Sequence, residues 1–172
     1  ILIKHISKSA FKGLERLRYL DLSHNLIKKI DVDGLQELQE LQYLDLSYNV
    51  VHKLTLQNFP HSLTTLKVKS CFTFMSVGQP LLNLTHFDFS HNQIRKSVTL
   101  NISHYLQTLS AKKLEYLNMN GNNISNIISY PYVFDLPALK EVAVSNNKLL
   151  AVFDLSKFSS LEKLDFSYNK IR

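Results

Sequence analysis

The sequence predicts an α/β solenoid, a curved stack of short strands with a parallel sheet on its concave side and irregular or short helical returns on its convex side. Three observations predict it. A pattern L-x-x-L-x-L-x-x-N-x-L recurs seven times in 172 residues, and repetition at periods of 20 to 30 residues marks a stacked architecture. Within L-x-L the apolar residues alternate at period two, as in a strand with one buried face. An asparagine then recurs three places after the last of them, where each strand has to end.

Taken in order, copy one is LRYLDLSHNLI, with Leu17, Leu20, Leu22, Asn25 and Ile27 in the pattern positions. Copy two, LQYLDLSYNVV, supplies Leu41, Leu44, Leu46, Asn49 and Val51. Copy three, LTTLKVKSCFT, keeps Leu63, Leu66 and Val68 but has Cys71 in the asparagine place and Thr73 two places on. Phe72 or Phe74 is expected to fill the gap that Thr73 leaves. Copy four is LTHFDFSHNQI (Leu84, Phe87, Phe89, Asn92, Ile94) and copy five LEYLNMNGNNI (Leu114, Leu117, Met119, Asn122, Ile124). Copies six and seven are LKEVAVSNNKL (Leu139, Val142, Val144, Asn147, Leu149) and LEKLDFSYNKI (Leu161, Leu164, Phe166, Asn169, Ile171). Their first positions, 17, 41, 63, 84, 114, 139 and 161, are spaced by 24, 22, 21, 30, 25 and 22 residues. Residues 1–16 read as a partial copy, with Ile3 and Ile6 matching Ile27 and Ile30. The longest unit, Leu84 to Lys113, carries an extra segment, SVTLNISHYLQTLSAKK, expected to form a short helix or bulged loop on the convex side.

Each copy can bury its apolar face only against its neighbours, so stability is shared along the stack. The asparagines Asn25, Asn49, Asn92, Asn122, Asn147 and Asn169 are expected to turn inward as a ladder. Their amides would satisfy backbone groups that the turn leaves unpaired. Cys71 takes that place in copy three, read as a small buried reduced thiol, with a reactive thiol as the alternative.

Composition agrees with a packed domain: 45% hydrophobic and 20% charged residues. No apolar run reaches the length of a membrane span. Ile1 to Ile6 alternates with Lys4 and His5 and does not read as a secretory signal. A single cysteine excludes a disulfide within the chain. The net charge of +6, from 20 Lys and Arg against 14 Asp and Glu, favours acidic partners: anionic glycan, nucleic acid or an acidic protein patch.

On these seven copies the chain resembles the leucine-rich-repeat family over essentially its whole length. More narrowly it resembles the typical extracellular class of about 24 residues per copy, which places a Phe in the returning segment. Phe11 and Phe59 stand at that register here, with Leu35 between them. Toll-like receptors and secreted insect immune proteins of the family look most similar. The resemblance implies a horseshoe that binds another protein outside the cell, as a secreted factor or the ectodomain of a membrane receptor in innate immunity. Family members of this class close their ends with cysteine-rich caps, and none is present. The chain is therefore expected to be a single array, 1–172, taken from something longer.

Three surfaces are candidates for binding. On the concave side, position three reads Tyr19, Tyr43, Thr65, His86, Tyr116, Glu141 and Lys163, and position five reads Asp21, Asp45, Lys67, Asp88, Asn118, Ala143 and Asp165. The binding face is expected at Tyr19, Asp21, Tyr43, Asp45, Lys67, His86, Asp88, Tyr116 and Asn118. Position eight, at the strand edge, reads His24, Tyr48, Ser70, His91, Gly121, Asn146 and Tyr168. Tyrosines beside a row of acids suit protein contact, because tyrosine offers a large area at low entropic cost. Just past the asparagine runs a basic flank, Lys28, Lys29, Lys53, Arg95 and Lys96, aligned by stacking at about 4.8 Å per copy. It suits an anionic glycan, double-stranded RNA or an acidic protein. Dimerisation through the flank or the ends is also open. Three glycosylation sequons, at Asn83, Asn101 and Asn123, fall away from the concave positions and favour an extracellular origin. An intracellular scaffold of the same fold stays open, since an unpaired Cys71 would be natural there.

Catalysis and metal binding find no support. His86 and His91 are five strand residues apart, about 16 Å along extended chain, too far to share an ion at about 2 Å from each nitrogen. No H-x-x-x-H, C-x-x-C, G-x-S-x-G or glycine-rich phosphate loop occurs. The expectation is a binding protein without cofactor or metal, and not an enzyme.

Overall fold

The computed structural model describes residues 2–31, 33–76, 80–92, 94, 106, 109–125, 127, 135–152 and 154–172. Arg95, Lys96 and Asn101 lie outside the described residues, as does most of the insertion after Ile94. From the insertion, Leu106 and Leu109 are described, and both are buried.

Positions three to five of every copy form one strand: β2 (Tyr19–Asp21), β4 (Tyr43–Asp45), β6 (Thr65–Lys67), β8 (His86–Asp88), β9 (Tyr116–Asn118), β10 (Glu141–Ala143) and β11 (Lys163–Asp165). They pair in chain order as one parallel seven-stranded sheet. The register is residue for residue, Tyr19 to Tyr43 to Thr65 to His86 to Tyr116 to Glu141 to Lys163. Seven strands in that order make about six turns of a solenoid.

The alternation in L-x-L sets which face is buried. Leu44, Leu66, Phe87, Leu117 and Val142 at position four are all sealed, as are Leu46, Val68, Phe89, Met119 and Val144 at position six. In copy seven the same stripe opens, with Leu164 37% exposed. Burial thus comes from neighbours on both sides, as stacking requires. Leu35 and Phe59 close the core from the returning segments, with Phe11 packed against it.

Two further small sheets lie on the descending side, and the repeat pattern did not foretell them. β1 (His5–Ile6) pairs with β3 (Lys29–Ile30), and β5 (Val51–Thr55) with β7 (Phe72–Ser76). Copy three owes its irregularity to this pairing. Phe72 aligns with Val51, so the copy is one residue short after Cys71, and Phe72 stands where the others have Ile, Leu or Val. Phe72 is buried and Phe74 is 39% exposed, which settles which of the two fills the gap. Between β5 and Phe59, residues Leu56–Asn58 make one 3-10 turn.

The strand ends on a sharp turn with a shared backbone geometry. Position eight is left-handed in all seven copies: His24, Tyr48, Ser70, His91, Asn146 and Tyr168 have φ between 47° and 56°, and Gly121 has 67°. Left-handed backbone crowds Cβ against the following carbonyl and tolerates a β-branched residue worst. The row contains none.

Candidate functional site

The left-handed turn points each asparagine of the ladder inward. Asn92 and Asn122 are sealed from solvent, and their amides work across two copies. The Asn122 side chain donates to Phe89 O and Met119 O, both at 3.0 Å, and its Oδ1 accepts the Asn92 N–H at 2.9 Å. Asn147 repeats the arrangement one copy on, donating to Met119 O and Val144 O and accepting the Asn122 and Ile124 N–H groups. Asn25, Asn49 and Asn169 use the same partners in their own copies.

Cys71 occupies the rung of copy three. Its sulfur accepts the backbone N–H groups of Asn49 and Val51, as an asparagine oxygen would. Burial pushes the thiol up to about 12. A thiol that stays protonated is a poor nucleophile, so its surroundings favour the structural reading over the reactive one.

The opposite face of the sheet carries the side chains at positions three, five, seven and eight. Asp21, Asp45, Asp88 and Asp165 have a local task there: Oδ1 of each accepts the N–H two residues on, from Ser23, Ser47, Ser90 and Ser167, at 2.8 to 2.9 Å. Asn118 does the same for Asn120. Where position five has no acceptor, at Lys67 and Ala143, the turn borrows one from position seven of the preceding copy. The Lys69 N–H donates to Ser47 Oγ, and the Ser145 N–H to Asn120 Oδ1. Hydrogen bonds from the Ser23 and Ser167 hydroxyls, and then these turn bonds, hold the Asp21 and Asp165 carboxyls below the usual carboxylate range.

Register brings the rings at positions three and eight into columns. Tyr19 and Tyr43 stack with centroids 4.3 Å apart and planes 9° apart, and His24 and Tyr48 with 4.4 Å and 20°. Copy three caps both columns with cations: Lys67 Nζ lies 5.4 Å from the Tyr43 centroid and Lys69 Nζ 5.6 Å from that of Tyr48. Tyr19 is 59% exposed. A looser pair, His86 with Tyr116 at 5.8 Å, follows in copies four and five. Asp88 Oδ2 there accepts the Asn118 amide at 3.2 Å. Further on the face pairs Glu141 with Lys163 at 2.8 Å, and at position two beside it Glu115 pairs with Lys140 at 2.9 Å.

The descending flank is part strand and part neutralised. Lys29 and His5 are in register on β3 and β1, and both reach Asp31 Oδ1, at 2.8 and 3.0 Å. Hydrogen bonds from Lys29 and His5 bring the Asp31 carboxyl down to about 2. Lys53 lies over the Phe74 ring at 5.8 Å, and Lys28 is exposed. Of the sequon asparagines, Asn83 is exposed at the edge preceding β8, donating to His61 O and accepting from Lys113 Nζ. Asn123 is exposed beside the ladder with φ 59°.

Among the described residues no group of three His, Cys, Asp or Glu could hold a metal ion, and no helix is long and apolar enough to cross a membrane. Models of the leucine rich repeat match residues 2–51, 81–97 and 113–131, together half of the chain. No curated protein matches. Among solved structures, a chain in "Crystal structure of LRIM1/APL1C complex" is similar with a TM-score of 0.74 at 24% identity. The likeness covers 98% of the present chain and 29% of that one, and at this identity it is a likeness of fold.

Proposed function

Because the chain belongs to the leucine-rich-repeat family, we propose that it is a recognition module that binds another protein on the open face of its seven-stranded sheet, outside the cell and in an immune setting. The observation that carries the reading is the uncovered pair of aromatic columns on that face, with Tyr19 stacked on Tyr43 and His24 on Tyr48. Fixed, half-exposed rings lose little entropy on binding and are the groups that anchor protein interfaces. Family resemblance to Toll-like receptors and secreted immune proteins supports the immune setting. The similar solved chain comes from the LRIM1/APL1C complex, which agrees with a module made for assembly. A reading through the basic flank draws on exposed Lys28 and on Lys53. It predicts binding that falls steeply with salt, while the sheet-face contact depends on salt weakly.

The test uses the chain secreted from animal cells behind a signal peptide. Intact mass should drop on glycosidase treatment at one or more of Asn83, Asn101 and Asn123; a folded product without sugar at any of them turns the search to cytoplasmic partners. The same material carrying a photoreactive side chain at Tyr43 should capture a partner from extracellular fluid, whereas one at Lys28 should not. Capture from Lys28 alone moves the site to the flank.

A further inference from the structure

The two ends of the sheet face differ in how their charges are spent. In copies five and six the acids at positions two and three, Glu115 and Glu141, are ion-paired within the chain, to Lys140 and Lys163. In copies one and two, Asp21 and Asp45 lie in register on β2 and β4, and among the described residues no lysine or arginine ion-pairs with either. One aromatic column runs on each side of them, Tyr19 with Tyr43 and His24 with Tyr48. The Tyr43 hydroxyl leans inward to Asp45 Oδ2, at 3.4 Å. The chain itself indicates what such a frame accepts. Lys67 and Lys69 each place an ammonium over the last ring of a column, the attraction of a cation for the negative face of an aromatic ring.

We propose that the frame of Tyr19, Asp21, His24, Tyr43, Asp45 and Tyr48 is the docking point for an arginine side chain on an extended segment of the partner protein. Charge complementarity selects a cation. The ring faces left open, those of Tyr19 and His24 at the uncapped end of each column, select a planar cation. It stacks on one of them while its N–H groups reach the carboxylates beside it, which a guanidinium does and an ammonium does only in part. The inference rests on the reading that the sheet face binds protein, and it names which part of that face and which chemistry.

The test titrates isotope-labelled chain with N-acetyl-arginine methylamide and follows backbone amide shifts by NMR. Shifts should concentrate at Ser23 and Ser47, whose N–H groups touch the two carboxylates. The lysine analogue should bind more weakly, and the norleucine analogue should give no such shifts. Asp21→Asn with Asp45→Asn should weaken arginine binding about tenfold or more, the loss of charge-assisted hydrogen bonds. Asparagine keeps the turn closed, as Asn118 does for Asn120, so the fold survives the change. Asp165→Asn, the same substitution in copy seven, should leave arginine binding unchanged. Norleucine binding as well as arginine, or Asp165→Asn acting as strongly as the double variant, overturns the proposal. If Tyr43 still captures a partner in the crosslinking experiment while arginine shifts nothing in copies one and two, the arginine site fails and the sheet-face reading stands.

Discussion

Columns of stacked side chains run along the repeats, one inside the solenoid and two outside. The inner column, Asn92 to Asn122 to Asn147, is buried, and each rung donates to and accepts from its neighbours' backbone. The outer columns, Tyr19 on Tyr43 and His24 on Tyr48, keep the same copy-to-copy spacing but are exposed and end on lysines. Stacking alone therefore imposes the spacing, and burial decides whether identity is constrained. Inside, an unpaired backbone group is expensive and only an amide serves both sides at once. Outside, water can satisfy whatever stands there, so the residues are free to be chosen for a partner.

The largest expected effect comes from breaking the inner column at its centre. Asn122→Ala removes donors to Phe89 O and Met119 O and leaves the buried Asn92 N–H without its acceptor. The Asn92 N–H is orphaned away from water while Phe89 O and Met119 O each keep one amide donor, from Asn92 and Asn147, which should destabilise the chain by about 2–3 kcal/mol. Chemical denaturation followed by circular dichroism reads this as a fall in midpoint. Tyr19→Ala on the outer column should move the same midpoint by only about 0.5 kcal/mol. Equal shifts for the two variants would mean that the outer stack is structural and not free for a partner.

The difference between the columns also explains what could be read in advance. The ladder, the strand positions and the core leucines were all visible because backbone geometry forces one residue type at one spacing, copy after copy. The left-handed turn at position eight left a fainter mark, the absence of any β-branched residue among His24, Tyr48, Ser70, His91, Gly121, Asn146 and Tyr168. The aromatic columns were foreseen as residues but not as stacks, since ring orientation depends on packing that no spacing encodes. The second role of the aspartates, closing the turn onto Ser23 or Ser47, was missed: D-x-S repeats in four copies, and its cause is a hydrogen bond. β1, β3, β5 and β7 were missed because their apolar residues do not alternate; Val51 and Leu54 face inward three apart.

A middling effect is expected at the hinge between inside and outside. Gly121 holds position eight in copy five, and a Cβ there would stand 2.7 Å from His91 Nδ1. Gly121→Ala thus meets both the left-handed backbone, at φ 67°, and the neighbouring ring. The His91 ring is exposed and can swing away, so the backbone term should dominate, at about 1–2 kcal/mol of destabilisation. Gly121→Asn should cost less, because asparagine adopts this conformation in copy six at Asn146. If the two variants lose the same stability, the ring contact and not the backbone is responsible.

A small effect, and the only gain, is expected where the ladder is already imperfect. Inner carbonyls flanked by two asparagines accept two amide donors: Leu22 O from Asn25 and Asn49, Met119 O from Asn122 and Asn147. Beside Cys71 that number drops, so Leu46 O accepts only from Asn49, and Val68 O only from Asn92. The thiol reproduces the acceptor half of the rung and not the donor half. Cys71→Asn should add both missing donors while its Oδ1 keeps the N–H groups of Asn49 and Val51, stabilising the chain by up to about 1 kcal/mol. Cys71→Ala should instead lose about 1–2 kcal/mol, because two buried N–H groups then have no acceptor. Copy three is one residue short at this turn, and the asparagine must reach inward from a tighter backbone. A rise in midpoint for Cys71→Asn means that the shortened turn still holds the ladder geometry. A fall means that cysteine is there because the short turn leaves no room for an amide, and that the irregular copy is a break in the column and not a weak rung of it.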